Sequence, residues 1–588
     1  MNRFRFTFAL SFFMLILSGC NFDEPLSVRI AHINDTHSHF DEELTQVGLP
    51  DENGNPALTY AYVGGYPRLK TKVDELRSQA ELEEQEFLLL HGGDAFAGTL
   101  FFSLFKGDLN AEFMNLFGFD AMAIGNHEFD LGNDVLAGFA ENVNFPLLSA
   151  NTKTKRSDPL SGKYLPYTIK IMGEGDKAQP VAIVGLTTEF TSLISSPSDQ
   201  TKFKDIIEVS QSITDHLRST GLNKIIFLTH LGLDEDRLLA QMVSGIDVII
   251  GGHSPTLLGD HRNIGLGNDF PSPVMETDPE GASVCIMHAI ENSWGLGVTD
   301  VEFSGDGSIT ACSGQNTFLV GNVFAQGNPP QPVGDAAFQA ISAYIGNFPN
   351  IEIVEKDVEA QNILDAAKAQ VAAFSSTIVG AASTPLLHVR LPGDTHPVGG
   401  TLMEGSHVAP HVASSMVLKA EQTSGQRYVA IMNAGGVRSD IEGNISVGTA
   451  YSVLPFSSTL VTMSIPGESL NNVITSAVAN AYLISGVTFP YVSNIQYSVD
   501  LTDPATPTVT NIMVLDENGE FQPLDNNASY NLVTTSYLAG GGDGYQFNGA
   551  QAQIDTGHVD ADILVQYVES QPGGVLDNIN SGITVISQ

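Results

Sequence analysis

Positive charge is what this 588-residue chain has least of: 26 Lys plus Arg stand against 67 Asp plus Glu, for a net charge of −41. A protein that grips a nucleic-acid polymer does so by neutralising phosphates from a basic face, and cations this sparse exclude that class of partner. An acidic coat keeps the chain soluble and repels small anions at long range. Any site for a phosphate must therefore concentrate positive charge locally, from metal ions or a few placed arginines. Cysteine is scarce too, with three in the chain, Cys20, Cys285 and Cys312. Internal repeats and low-complexity tracts are lacking.

Hydrophobic residues make up 42% of the chain, an ordinary globular share, and the length allows about two to four domains. The apolar run Phe6 to Leu17 follows Arg3 and Arg5 and is too short to span a bilayer, which reads as a secretory signal. It ends Leu17-Ser18-Gly19-Cys20, resembling a bacterial lipoprotein box in which Cys20 is lipidated and becomes the first mature residue. The resemblance implies a cell-envelope protein anchored to membrane by lipid, with a periplasmic protein released from an ordinary signal peptide as the alternative. Cys285 and Cys312 then lie in a disulfide-permissive compartment, where they either pair or stay as two buried thiols.

From Ser27 onward, apolar runs alternate with helical periodicity, the pattern of an α/β layered domain. The expected strands are Val28–Asn34, Phe87–Leu90, Ala121–Ile124, Val181–Leu186, Lys224–Leu228 and Ile246–Ile250, with amphipathic helices over Tyr66–Gln85 and Phe203–Ser219. The chemistry gathers where these strands stop. At Ala121 to Leu131, AMAIGNHEFDL, Gly125 ends an apolar run and Asn126, His127, Glu128 and Asp130 follow at once. Asp35 and His37 follow VRIAHIN, Asp94 follows FLLLHGG, His230 follows KIIFLT and His253 follows DVIIGG. Ligands bind at the carboxyl ends of strands in open α/β sheets. Carboxylate, amide oxygen and imidazole together suit two divalent ions, Zn, Mn, Fe or Co, with a shared carboxylate bridging them.

The motifs NDTH, GGDAFAGT, GNHEFD, THLG and GGHS, in that order, resemble the series of the calcineurin-like metallophosphoesterases, specifically the 5′-nucleotidase family. The resemblance implies a metallophosphoesterase-type layered β-sandwich flanked by helices, followed by an α+β nucleotide-binding domain. It implies that Asp35 and His37 hold one metal, that Asp94 bridges, and that Asn126, His230 and His253 hold the other. His127 and Asp130 become the catalytic dyad; His39 and His91 are structural neighbours of ligand strands. In the C-terminal part, Asn433-Ala434-Gly435-Gly436-Val437-Arg438, Leu454-Pro455-Phe456 and Tyr537 through Tyr545 match the family's nucleotide-binding motifs. They imply a base stacked between Phe456 and Tyr537, ribose contact by Asp543, and phosphate or base contact by Arg438 and Asn433.

The implied division is a signal over 1–20, a dimetal domain over 26–320, a Gly- and Pro-rich linker with a hinge helix over 321–373, and a substrate domain over 374–588. Two positions depart from the family. A phosphate-binding arginine is missing at Leu402, with Arg390 upstream as its replacement or a less charged substrate as the alternative. Pro255 stands where relatives supply a further side-chain ligand, which implies a weaker centre at Asp35 and His37. The reading is hydrolysis of nucleoside 5′-phosphates, extending to diphosphates and UDP-sugars. The alternatives are a 2′,3′-cyclic nucleotide phosphodiesterase with 3′-nucleotidase activity and a surface nucleotide-binding protein without turnover.

Overall fold

The computed structural model describes residues 24–254, 256–267, 270–456 and 458–586, so the signal segment with Cys20, and Pro255, lie outside the described residues. The chain divides into two compact units between Lys368 and Ala369. In the first, strands β1 (Leu26–Ile33), β2 (Glu86–His91) and β3 (Ala121–Ala123) run parallel and side by side in one sheet. Strands β4 (Gln179–Thr187), β5 (Ile225–His230), β6 (Val248–Gly251) and β7 (Ser283–His288) do the same in a second. Val28, Ile30, Leu88 and Leu90 of the first sheet share a core with Val184, Phe227, Ile249 and Ile286 of the second. The alternate residues Ala31, Ile33 and Leu89 face away and pack on Tyr66, Leu69 and Val73 of helix α1 (Tyr66–Leu82). Both faces of these strands are covered, which is why they read as unbroken apolar runs.

Helix α2 (Ile206–Ser219) starts later than its periodicity implies, because the Asp205 carboxylate accepts the Glu208 N–H at 2.7 Å and caps it there. Phe203 belongs instead to a short strand, Thr201–Phe203. Cys285 of β7 and Cys312 of strand β8 (Ile309–Gln326) form a disulfide, with Cα atoms 6.5 Å apart. It ties the second sheet to the first.

The expected linker at 321–334 is corrected by β8, which runs on to Gln326 and pairs Phe324, Ala325 and Gln326 with Ala61, Tyr60 and Thr59. Gly321, Asn322 and Val323 occupy an irregularity in the register between Val320 and Phe324. Glycine and asparagine there mark a bulge inside a sheet and not a tether. The single helix expected from Asp335 to about Ala373 is likewise two, α3 (Asp335–Ile345) and α4 (Val358–Ser375), separated by a strand, Ile351–Ile353, that pairs with β8. Ile341 and Ile345 of α3, and Ala360, Leu364 and Ala367 of α4, pack in the cores of the first unit. The division between units therefore falls inside α4.

The second unit is built on a five-stranded sheet in the order Pro490–Ser493, β9 (Val429–Asn433), Ser529–Thr535, Thr459–Pro466 and Gln551–Val559. Helix α5 (Ala409–Ser424) and helix Gly467–Leu483 cover it, with Met416, Ile431, Ile474 and Leu532 in one core. Its β9 and Ser529–Thr535 are parallel, and their carboxyl ends deliver Asn433 and Tyr537. No helix among the described residues is long and apolar enough to cross a membrane.

Candidate metal centre

The carboxyl ends of β1, β2, β3, β5 and β6 bring Asp35, His37, Asp94, Asn126, His127, His230 and His253 to one edge where the two sheets meet. The approach is close. A Cβ on Gly125 would stand 2.1 Å from Asp94 Oδ1, and one on Gly93 would stand 2.6 Å from His230 Nδ1, so only glycine lets the strand ends come this near. Asp35, His37, Asp94 and His253 all have left-handed backbones, with φ of 48°, 45°, 57° and 78°. Such conformations cost about 1–3 kcal/mol each and persist where surrounding bonds enforce them. Here the Asp35 and His37 N–H groups donate to the Gly93 and Asp94 carbonyls at 2.9 and 3.1 Å.

The ring Nδ1 atoms of His37 and His230 lie 3.1 and 2.8 Å from the carbonyls of Phe96 and Gly92, which makes Nδ1 the protonated nitrogen and turns the Nε2 lone pairs inward. His230 Nε2 then sits 2.9 Å from Asp94 Oδ2 and 3.1 Å from Asn126 Oδ1. Three lone-pair donors converge there, and only a cation satisfies all three. With a proton as that cation, the His230 pKa rises to about 9: burial lowers it, and the Asp94 carboxylate outweighs burial. Burial and the neighbouring His127 and His230 charges hold His37 and His253 neutral, at about 4 and about 3. Burial pushes Asp35 up to about 6, while His230 and His127 hold Asp94 below its usual range against burial. Two triplets, His37 with Asp94 and His127, and Asp94 with His230 and His253, place their ligand atoms within 4.8 Å of one another. The residues fit a divalent cation, with Asp94 common to both triplets.

Asp35 belongs to neither triplet; its carboxylate accepts the His253 N–H at 3.0 Å and the Asn34 amide at 2.6 Å. His127 Nδ1 is 2.7 Å from Asp130 Oδ2, and its Nε2 lies 3.8 Å from Asp94 Oδ2. Ser195 Oγ donates to the other Asp130 oxygen at 2.7 Å. His91 is buried, accepting the Gly93 N–H at 3.1 Å, and His39 pairs with Glu43 at 2.5 Å.

Sequence reasoning assigned no role to Glu128, Asn34 or Ser195. Fully buried Glu128 accepts four backbone N–H groups, from Gly125, Asp94, Ala95 and Phe96, and holds the Asp94 loop against β3. Its place inside GNHEFD was the one signal for it. Asn34 links Asp35 to the Ala289 N–H at 2.8 Å, a partner 255 residues away.

In the second unit, Phe456 and Tyr537 are 59% and 51% exposed, which leaves ring surface open for a base to stack on. The Tyr537 hydroxyl donates to Asp543 Oδ1 at 2.9 Å, and the Asn433 amide donates to Oδ2 at 2.7 Å. A Cβ on Gly542 would strike the Tyr537 ring at 2.5 Å, so the ring lies on this glycine. The Arg438 guanidinium carbon stands 5.6 Å from the Phe456 ring centre. Leu402 is 8% exposed and packs with Leu387 and Val389, an apolar position.

The profile described as Calcineurin-like phosphoesterase matches residues 28–257, and that of the 5′-nucleotidase, C-terminal domain matches 401–549. The chain is 32% identical over 560 residues to the probable 5′-nucleotidase of Treponema pallidum, covering 92% of this chain and 91% of that one. It is 31% identical over 594 residues to the NAD 5′-nucleotidase of Haemophilus influenzae, covering 96% and 95%. The solved H. influenzae NAD nucleotidase superposes with a TM-score of 0.82 at 29% identity, covering 96% of this chain and 100% of that one. With both domains matched and relatives aligned along nearly their whole length, the chain belongs to the 5′-nucleotidase family of metal-dependent phosphohydrolases.

Proposed function

We propose that this protein hydrolyses nucleoside 5′-phosphates to nucleoside and phosphate, and that it accepts 5′-nucleotides extended by a further phosphate, including dinucleotides of the NAD type. The convergence of Asp94, Asn126 and His230 on one point carries the hydrolytic part of the reading. Asp35, His37 and Asp94 would hold one divalent ion and Asp94, Asn126, His230 and His253 a second. When bound, the ions supply Lewis acidity toward the phosphoryl group and a nucleophile at neutral pH.

The remaining work belongs to side chains. Asp130 holds His127 by Nδ1, so Nε2 is the atom turned toward Asp94 and the phosphoryl position. There it donates a hydrogen bond to a phosphoryl oxygen as charge develops and protonates the departing 5′-oxygen. Ser195 and Asp130 keep that ring from rotating. In the second unit, Phe456 and Tyr537 stack the base, and Asp543, oriented by Asn433 and Tyr537, retains lone pairs for ribose hydroxyls. The intact His127 and Asp130 pairing favours turnover over a binding-only role. Lipid attachment at Cys20, which would place the enzyme in the cell envelope, is supported by Leu17-Ser18-Gly19-Cys20.

Purified protein supplied with Mn or Co, presented with AMP, ADP, NAD, UDP-glucose, 3′-AMP and 2′,3′-cyclic AMP, tests the assignment. Phosphate or AMP release from the 5′-nucleotides is expected; turnover confined to the cyclic and 3′ substrates would refute it.

A further inference from the structure

Asp236 and His288 are both fully buried, and the hydrolytic reading gives neither a task. Asp236 lies near the start of helix Leu233–Met242, which follows His230, and His288 ends β7. His288 Nε2 stands 2.8 Å from Asp236 Oδ2, and since a carboxylate only accepts, the imidazole hydrogen is on Nε2. Asp236 Oδ1 and His288 Nδ1 find no partner among the described residues. Burying such a pair is costly, because unmet acceptors and desolvated charge count against it. Apolar side chains of similar volume would fill the same space with less loss, so stability does not account for it.

The pair lies directly over Gly251. A Cβ there would stand 2.2 Å from Asp236 Oδ2 and 2.2 Å from His288 Nε2, so the hydrogen bond rests on the bare Cα of the residue that ends β6, just before Gly252 and His253. Gly251 is also the register partner of His288. At the start of the Asp236 helix, the Gly232 N–H donates to the Gly252 carbonyl at 2.9 Å and the Leu233 N–H donates to Ser254 Oγ at 3.1 Å. The segments that carry His230 and His253 are thus bonded to each other beside the pair. The strand end that holds His288 is also fastened to the other sheet. The His288 carbonyl accepts the Asn316 amide of β8 at 2.9 Å, the Cys285–Cys312 disulfide joins the same two strands, and the Ala289 N–H donates to Asn34 Oδ1 at 2.8 Å. Asn34 in turn donates to Asp35. His288 is therefore where a strand held by the first sheet touches the segments of the second that carry His230 and His253.

We propose that Asp236 and His288 are positioning residues for the metal centre: their hydrogen bond sets the distance between the ligands delivered by the first sheet, Asp35 and Asp94, and those delivered by the second, His230 and His253. The proposal rests on the metal-dependent hydrolase reading above. A hydrogen bond fixes both length and direction, where apolar packing of the same volume lets the segments slip. Groups that support metal ligands from behind contribute about 10- to 100-fold in metal affinity.

Asp236→Ala combined with His288→Leu keeps about the same total volume and leaves no buried charge unpaired. In the full-length protein this double variant is expected to keep a metal-free Tm close to that of the unmodified chain. Its Mn affinity, from competition with a chelator, should fall about 10- to 100-fold, and the visible absorption bands of the Co-loaded protein should shift as the ligands move apart. His288→Gln, whose amide N–H reaches the place of Nε2, should keep most of the Mn affinity, and His288→Asn, whose amide stops at the place of Nδ1, should not. These two single variants decide the matter if the double variant does not fold. Unchanged Mn affinity and Co spectrum in the double variant, or equal Mn affinity in the Gln and Asn variants, would overturn the positioning role. So would a lowered metal-free Tm with metal binding intact, which would make the pair structural only. Absence of nucleotide turnover by the unmodified, Mn-loaded protein would refute the hydrolase reading, while the Mn and Co measurements would still decide the pair.

Discussion

Replacing Glu128 by Gln should unsettle the metal centre without touching a ligand. Oε2 of Glu128 accepts the Gly125 and Asp94 N–H groups at 2.7 and 3.0 Å, and Oε1 accepts those of Ala95 and Phe96 at 2.8 and 3.2 Å. Whichever way a glutamine amide lies, its NH2 faces two backbone N–H groups that then have no acceptor. Bonds to a charged acceptor contribute about 1.5–3 kcal/mol each, so two losses amount to about 3–6 kcal/mol, a large part of the roughly 5–15 kcal/mol of a typical domain. Calorimetry should show Tm lowered by roughly 5–15 °C. Because these bonds fix the Asp94 loop, Mn affinity from competition with a chelator should fall about 10- to 100-fold. Both are measured above neutrality, where Glu128, raised to about 7 by burial and by Asp94, is ionised. An unchanged Tm together with unchanged Mn affinity would refute the assignment of Glu128 as the organiser of this loop.

His127→Ala should lower kcat by about 10²-fold or more while bound metal, measured by atomic emission, stays close to normal; loss of metal with activity would make His127 a ligand. Phe456→Ala and Tyr537→Ala should raise KM for nucleotides far more than KM for a small aryl phosphate, since stacking of about 1–3 kcal/mol acts on the base alone; equal effects on both substrates would exclude the aromatic clamp. Asp247 is buried, and that burial lifts its pKa to about 8. Its contribution to stability is therefore full below the ordinary carboxylate range and is lost as pH rises toward the folded value. Denaturant titrations should show Asp247→Asn gaining on the unmodified protein as pH rises from about 4 to 8, and parallel pH profiles would exclude this.

The apolar runs ending at Asn34, Leu90, Ile124 and Ile250 were legible because strands buried on both faces need no polar alternation, and the residues just past each run are local in sequence. So were the motif series and the exposed aromatic motifs, and with them the two-domain family architecture. What tertiary structure alone decided involves partners far apart in the chain. Gly321 to Val323 became a bulge in β8 because Phe324 pairs with Ala61, not because of their own preferences. Cys285 and Cys312 paired because β7 and β8 bring them together from different sheets. Left-handed backbones at Asp35, Asp94 and His253 are costly locally and exist only where the two sheets press their strand ends together. Sequence periodicity reports which face of a strand is buried; only folding reports which distant atom a buried donor or acceptor finds.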